Sequence, residues 1–192
     1  MCGRYYIDKE MEKDIGRIVR EVEADLARWR ERDIRPTDTA PVIYGRGGIL
    51  CPGEMKWGLS GRDKRPLINA RAETARERLT FSESVMHRRC IVPARRFYEW
   101  DKEKRKVTFR YGKSASIYMA GFYRMQEDGF HFIIVTTAAN ESVRPVHDRM
   151  PLILEENEVQ PWICEDDKVG FFLEKQSPML EPSRDFEQMS LF

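Results

Sequence analysis

Ile15, Ile18, Val19, Val22, Leu26 and Trp29 recur at i, i+3, i+4, i+7, i+11 and i+14. That spacing draws one apolar stripe and predicts an amphipathic helix over residues 8–31, with Asp8 as its N-cap and Pro36 beyond its end. After it the period falls to two. Val42–Tyr44 and Ile49–Cys51 flank Gly47-Gly48 as a hairpin, and Met55–Leu59 reads as a further strand. Residues 60–68 form a loop with Gly61 and Pro66, leading to Leu67-Ile68-Asn69. Ala70–His87 has a helical composition that Thr80-Phe81-Ser82 interrupts. Cys90–Pro93, Phe97–Trp100, Val107–Tyr111, Ile117–Tyr123, Phe130–Thr137 and Pro151–Leu154 are strand-like, and two short helices close the pattern between 155 and 175. Strands that outnumber helices without strict β-α-β alternation predict an α+β fold with a largely antiparallel sheet. Pro178–Phe192 has two prolines, several charges and little periodicity, and is expected to be a mobile tail behind a domain spanning 1–177.

The chain has 192 residues, of which 41% are hydrophobic and 34% charged, so it can build one ordinary core under a heavily charged surface. No apolar run approaches the ~20 residues of a membrane span, and the N-terminus lacks a signal-like apolar segment. A soluble, cytoplasmic protein is expected. Its cysteines, Cys2, Cys51, Cys90 and Cys164, lie far apart without a C-x-x-C pair, which argues against a zinc site or a disulfide framework. The formal charge of +1 hides a polarity: residues 56–113 hold 17 Lys/Arg against 7 Asp/Glu, and residues 114–192 hold 6 against 14. The basic middle is either a phosphate-binding surface or the partner of the acidic end across the fold.

Cys2 carries the most distinctive chemistry. With Met1 removed it presents an amine and a thiol on adjacent carbons, with ordinary pKa values of about 7.7–8.0 and about 8.5. Toward an aldehyde the amine forms an imine and the thiol then closes a thiazolidine. A small second residue is also common without any such role. Among the histidines, His131 reads as structural and His87 as a surface residue. His147, in Pro145-Val146-His147-Asp148-Arg149-Met150-Pro151, sits on a proline-bounded turn suited to proton transfer. Glu99 shares a strand face with Phe97, opposite Tyr98 and Trp100. It is either a carboxyl raised by aromatic packing or an exposed partner of an arginine. Asn69 suits either a helix cap or a hydrogen bond to a substrate oxygen. Arg71 suits a phosphate, and Trp57 suits either the core or a stacked base.

These pieces together resemble the SOS-response-associated peptidase (SRAP) family of abasic-site processing proteins. The resemblance rests on Met1-Cys2-Gly3-Arg4-Tyr5, Trp57-Gly58-Leu59, Leu67–Thr74, Arg89–Ala94, Phe97-Tyr98-Glu99-Trp100 and His147–Pro151, and covers residues 1–165. It implies a single domain with a barrel-like β core flanked by helices, and a groove for single-stranded DNA. It assigns Cys2 as nucleophile toward the ring-opened abasic aldehyde, and Asn69 as the group that positions the amine and sugar. Glu99 handles protons, and His147 assists imine chemistry, reversal and strand cleavage. Arg4, Trp57, Arg71 and Arg149 become expected DNA contacts. The peptidase label fits removal of whatever precedes Cys2. Three places depart from the family pattern: Asp38 in Asp38-Thr39-Ala40-Pro41, Ser82 after Phe81, and Arg95-Arg96 after Pro93-Ala94.

Gln188-Met189-Ser190-Leu191-Phe192 resembles peptides that bind the bacterial sliding clamp, with Leu191 and Phe192 filling an apolar pocket and the Gln188 amide fixing orientation. The alternative is that they fold back on the domain's own core. With no P-loop, no G-x-G-x-x-G and no metal-ligand spacing, no cofactor or metal is implied. The expected protein is a monomer at the nucleoid or replication fork that covalently captures abasic sites in single-stranded DNA, with possible lyase activity. A non-catalytic single-stranded DNA-binding module and a Cys-dependent peptidase are the competing readings.

Overall fold

A glycine pair decides the first hairpin. Gly47 and Gly48 have φ of +59° and +80°, the left-handed conformation that both central residues of a two-residue hairpin turn require. They join β3 (Thr39–Arg46) to β4 (Ile49–Trp57), which pair from Thr39↔Lys56 to Arg46↔Ile49. The computed structural model describes residues 2–19, 30–61, 65–112 and 115–184. Before this hairpin come β1 (Tyr5–Ile7), α1 (Met11–Ile18) and β2 (Arg32–Ile34). After it come β5 (Asn69–Arg71), α2 (Ala72–Ala75), α3 (Ser82–His87), β6 (Arg89–Ala94) and β7 (Arg96–Trp100). Next are β8 (Lys106–Arg110), β9 (Ile117–Gln126), β10 (Gly129–Ala138), β11 (Arg149–Pro151) and β12 (Ile153–Leu154). Two short helices, α4 (Val159–Cys164) and α5 (Val169–Leu173), precede β13 (Glu181–Arg184).

Five strands close on themselves. β4 pairs β3, β3 pairs β6, β6 pairs β9, β9 pairs β10, and a short parallel register, His131↔Lys56 and Phe132↔Trp57, returns β10 to β4. Closure removes the free edges that an open sheet of this size would expose. β4 leaves β10 at Gly58, whose φ is +111°, and β5 takes over the same edge from Ile134↔Asn69 to Thr136↔Arg71. All six residues of β6 are buried, because α3 and α4 pack against it. Arg89 on β6 is nearly inaccessible, yet it donates to the Ile163 carbonyl at 3.1 Å and pairs with Asp166 at 2.7 Å. It thereby satisfies groups at the end of α4.

A second antiparallel sheet, ordered β13-β8-β7-β1-β2, lies against the barrel. Apart from Glu99 its inner face is apolar: Phe97 stacks on Phe109 with centroids 5.1 Å apart, and Tyr5 meets Trp57 of the barrel at 5.3 Å. The α+β class, the single domain and the barrel core therefore agree with the sequence.

Several boundaries differ. The expected helix over 8–31 ends at Ile18, because Val19 is extended; Val22, Leu26 and Trp29 lie outside the described residues. The N-cap is Glu10 rather than the expected Asp8, because the helix begins at Met11; Asp8 accepts the Met11 amide at 3.2 Å from outside the cap position. Ala70–His87 resolves into two short helices around residues 76–81. The stretch from Pro178 is not wholly a tail, since Glu181–Arg184 pair with β8 from Glu181↔Arg110 to Arg184↔Val107. No described helix is long and apolar enough to cross a membrane.

Candidate active site at the end of the barrel

β1 lies between β2 and β7, and this places Cys2, just ahead of it, beside the strand that carries Glu99. The Tyr98 amide donates to the Arg4 carbonyl at 3.0 Å. From the barrel side β5 brings Asn69, whose Nδ2 donates to the Cys2 carbonyl at 3.0 Å. Asn69 Oδ1 is buried without a hydrogen-bond partner among the described residues, so the amide is committed to Cys2 on one side and has an acceptor in reserve on the other. The helix-capping alternative is set aside: α2 begins at Ala72 behind Arg71, and no side chain caps it.

Glu99 and Phe97 share one face of β7 and Tyr98 and Trp100 the other, as the two-residue period requires. Glu99 is 3% exposed. Burial raises its carboxyl above the ordinary range, and the His147 imidazole acts in the opposite sense. Burial foremost, and then the negative charge of Glu99, push the Cys2 thiol up, so at neutral pH it is held protonated. Its Sγ lies 4.0 Å from the Arg4 carbonyl.

His147 sits on the loop between β10 and β11. Its Nδ1 accepts the Arg149 amide at 2.9 Å and lies 3.0 Å from Asp148 Oδ1. Cys2, Asn69, Glu99 and His147 thus converge from four distant segments. His131 is structural, buried between the Gly58 carbonyl at 2.6 Å and Asp128 at 2.7 Å, and His87 is a surface partner of Asp166.

The expected DNA contacts separate. Arg71 is exposed at the end of β5. Arg4 is half-buried, with its guanidinium 5.2 Å from the Trp100 ring. Trp57 is a correction: it is fully buried, stacked on Phe132 at 6.2 Å, and its indole N–H donates to the Ile68 carbonyl at 3.0 Å. No base can reach it. Arg149 is already engaged with Glu73, at 2.6 and 2.9 Å. Gln188, Leu191 and Phe192 lie outside the described residues.

Two departures from the family pattern acquire local reasons. Asp38 caps its own turn by accepting the Arg35 amide at 2.9 Å, next to Thr37 at φ +78°. Arg95 points inward to Asp8 at 3.0 Å and Asp14 at 3.5 Å, tying α1 to the sheets, and Arg96 lies 3.8 Å over the Tyr6 ring. Part of the basic middle does pair with the acidic end, as Lys56–Asp128 and Arg89–Asp166 show. A cleft of about 720 Å³ beyond Glu73 holds none of the four converging residues; Glu73, Glu77 and Glu174 line it with Arg76, a poor seat for phosphate. Sequence reasoning gave Glu73 no role of its own, although its place in the motif after Asn69 was the available signal.

The model of the SOS response associated peptidase (SRAP) family matches residues 1–189. This chain belongs to that family. It is 30% identical over 179 residues to the abasic site processing protein YoqW of Bacillus subtilis, covering 85% of this chain and 80% of YoqW. It is 29% identical over 179 residues to YedK of Escherichia coli, an abasic site processing protein, covering 86% and 81%. Among solved structures, a Bacteroides thetaiotaomicron protein superimposes with a TM-score of 0.78 at 21% identity, over 95% of this chain and 91% of that one. A phage-related protein of Bordetella bronchiseptica gives 0.77 at 22%, over 95% and 94%. These neighbours share the fold.

Proposed function

We propose that this SRAP protein repairs DNA by covalently capturing abasic sites in single strands through Cys2. The convergence of Cys2, Asn69, Glu99 and His147 at one end of the barrel carries the reading, and the names of its relatives in B. subtilis and E. coli agree with it. While Met1 is attached, the Cys2 nitrogen is an amide and cannot act as a nucleophile. Hydrolysis of the Met1–Cys2 bond supplies the amine, and the family's peptidase label describes that step. The amine adds to the C1′ aldehyde of the ring-opened sugar and loses water, giving an imine. The thiol then adds across the C=N bond, its proton passing to nitrogen, and the thiazolidine closes.

Asn69 holds the Cys2 backbone and keeps its free Oδ1 as acceptor for the amine or a sugar hydroxyl. Glu99, with its carboxyl raised, gives a proton to the departing hydroxyl and takes up the one that nitrogen loses as the imine forms. His147, held at Nδ1 by the Arg149 amide, serves the reverse opening to the imine and the proton abstraction that leads to strand cleavage. Arg71 and Arg4 are the phosphate contacts this reading favours, at the end of β5 and at the start of β1. The terminal Gln188–Phe192 segment serves as a clamp-binding address. Deleting it removes clamp co-elution while crosslinking persists, and unchanged clamp binding rejects that part.

The test of the central step is a denaturing gel, run without borohydride, of Met1-free protein incubated with single-stranded DNA bearing one abasic site. A shifted band from the wild type and none from Cys2→Ala is the expected result. No band from the processed wild type, with ordinary DNA binding retained, overturns covalent capture in favour of a binding module.

A further inference from the structure

The outer face of the second sheet carries cations and aromatic rings in alternation. Phe97 and Glu99 take the inner face of β7, so Arg96, Tyr98 and Trp100 take the outer one. β1 adds Tyr6, which pairs with Arg96, and Arg4 stands just ahead of that strand. β8 adds Lys106, opposite Trp100, and Arg110, one place beyond the Phe97↔Phe109 pair. Each ring has a cation against it: Arg4 is 5.2 Å from Trp100, Lys106 5.2 Å from Tyr98 and Arg96 3.8 Å from Tyr6. The face begins at Arg4 and Trp100, next in sequence to the Cys2 segment and Glu99. It runs along β7 to Arg96, about 13 Å from Trp100 at the rise of an extended strand.

Arg96 is held in place without being neutralised. The Tyr6 ring supports the guanidinium from one side, and Nε donates to the Tyr98 hydroxyl at 3.0 Å. That hydroxyl is itself fixed, since it donates to Asp33 Oδ1 at 3.0 Å. Nη1 and Nη2 make no hydrogen bond or ion pair among the described residues. Arg4 and Arg110 likewise enter no ion pair there, although Arg110 is opposite Glu181 on the edge strand. Arg95, the preceding residue, shows the contrast: it points inward and is committed to Asp8 and Asp14. Arg110 is exposed and Arg96 half-buried. A guanidinium fixed on one face and one edge, with two donors left, matches a phosphate oxygen pair and loses little freedom on binding it.

We propose that Arg96 and Arg110 hold backbone phosphates of the single strand flanking the candidate site, with Tyr6 and Tyr98 as positioning residues for the Arg96 fork. The strand then leaves the site past Arg4 and Trp100 and continues over the outer face of the second sheet. This deepens the proposed function and rests on its choice of single-stranded DNA as ligand. The cations suit a polyanion, and the rings between them suit bases that are not paired. Contacts to phosphate fix the register of the strand and carry no sequence preference.

The experiment compares wild type with Arg96→Met, Arg96→Lys, Tyr98→Phe and Arg110→Gln, after melting curves confirm that each is folded. Fluorescence anisotropy with an undamaged single strand gives affinity across a salt series. The Arg96 Nε–H signal is followed by NMR as that strand, or inorganic phosphate alone, is added. Arg96→Met and Arg110→Gln should each weaken binding and reduce the salt slope by about 0.7, the value for one phosphate of a single strand. Arg96→Lys keeps the charge and loses the fork, so affinity should fall with the slope retained. Tyr98→Phe removes no charge and frees the fork, and should do the same. The Arg96 signal should shift with the strand over the concentration range of binding. Unchanged affinity and slope in Arg96→Met overturn the proposal and leave Arg96 as a cover for the Tyr6 ring. A signal that responds to inorganic phosphate and not to the strand overturns it in favour of a free-anion site. A wild type that forms no abasic crosslink, with Arg96→Met still losing affinity and slope, rejects capture and keeps this path; a wild type that crosslinks, with Arg96→Met unaltered, rejects the path alone.

Discussion

Replacing Arg95 by methionine separates a structural arginine from a DNA-binding one. The guanidinium lies between Asp8 and Asp14, with side chains only 10%, 17% and 12% exposed respectively, and Asp14 also accepts from Ser116 at 2.6 Å. Methionine keeps much of the aliphatic stem but takes the guanidinium from Asp8 and leaves Asp14 with Arg17 at 2.8 Å. Removing one partner of a buried ion pair costs about 3–5 kcal/mol. For a chain of this size each kcal/mol moves the melting temperature by about 2–4 °C, so a fall of roughly 6–20 °C is expected. Denaturant unfolding gives the free energy, and fluorescence anisotropy with undamaged single-stranded DNA gives the affinity at several salt concentrations. The stability should fall while the affinity and its salt slope stay put. A variant within 1 kcal/mol of wild type that loses affinity and about one unit of salt slope would refute the structural assignment.

Glu99→Gln should stabilise the protein at neutral pH, since burial raises this carboxyl in the folded state. The wild type's relative stability is full below the unfolded-state value of about 4.3 and is lost as pH rises through the folded one. The advantage of the glutamine variant should therefore vanish on acidification, and a pH-independent difference in unfolding free energy contradicts the buried-carboxyl account. Trp57→Ala should cost about 3–5 kcal/mol by cavity formation, read by denaturant unfolding; normal stability with weakened DNA binding would return Trp57 to the DNA surface. Arg71→Ala should lower affinity evenly across DNA sequences and reduce the salt slope by about one. An unchanged slope removes Arg71 from the interface.

The long strands were legible as continuous runs of apolar, strand-favouring residues, buried over six successive positions in Ile117–Gln126 and Gly129–Ala138, and the first hairpin because Gly47-Gly48 suits only a few turns. The short strands left little pattern. Tyr5–Ile7, Arg32–Ile34 and Asn69–Arg71 span three residues each, too few for a period to show. Glu181–Arg184 is wholly exposed and polar, so only its pairing with β8 marks it as a strand. The helix over residues 8–31 was overextended because its stripe continues past the extended Val19. Cys2, Asn69, Glu99 and His147 stood out as candidates through their chemistry and motif context. The engagement of Arg149 by Glu73 was hidden, since it joins residues 76 positions apart across a strand. Trp57 read as core or as a base platform, and its packing against Phe132 and Tyr5 places it in the core.

Intact mass spectrometry tests the central claim most directly. Met1-free protein is incubated with a short single-stranded oligonucleotide carrying one abasic site, beside Cys2→Ala and beside protein that retains Met1. Capture through the Cys2 amine and thiol predicts a species at the summed mass of protein and oligonucleotide less one water, formed by the Met1-free wild type alone. The same adduct from Cys2→Ala, or only unmodified mass from the Met1-free wild type, would contradict it.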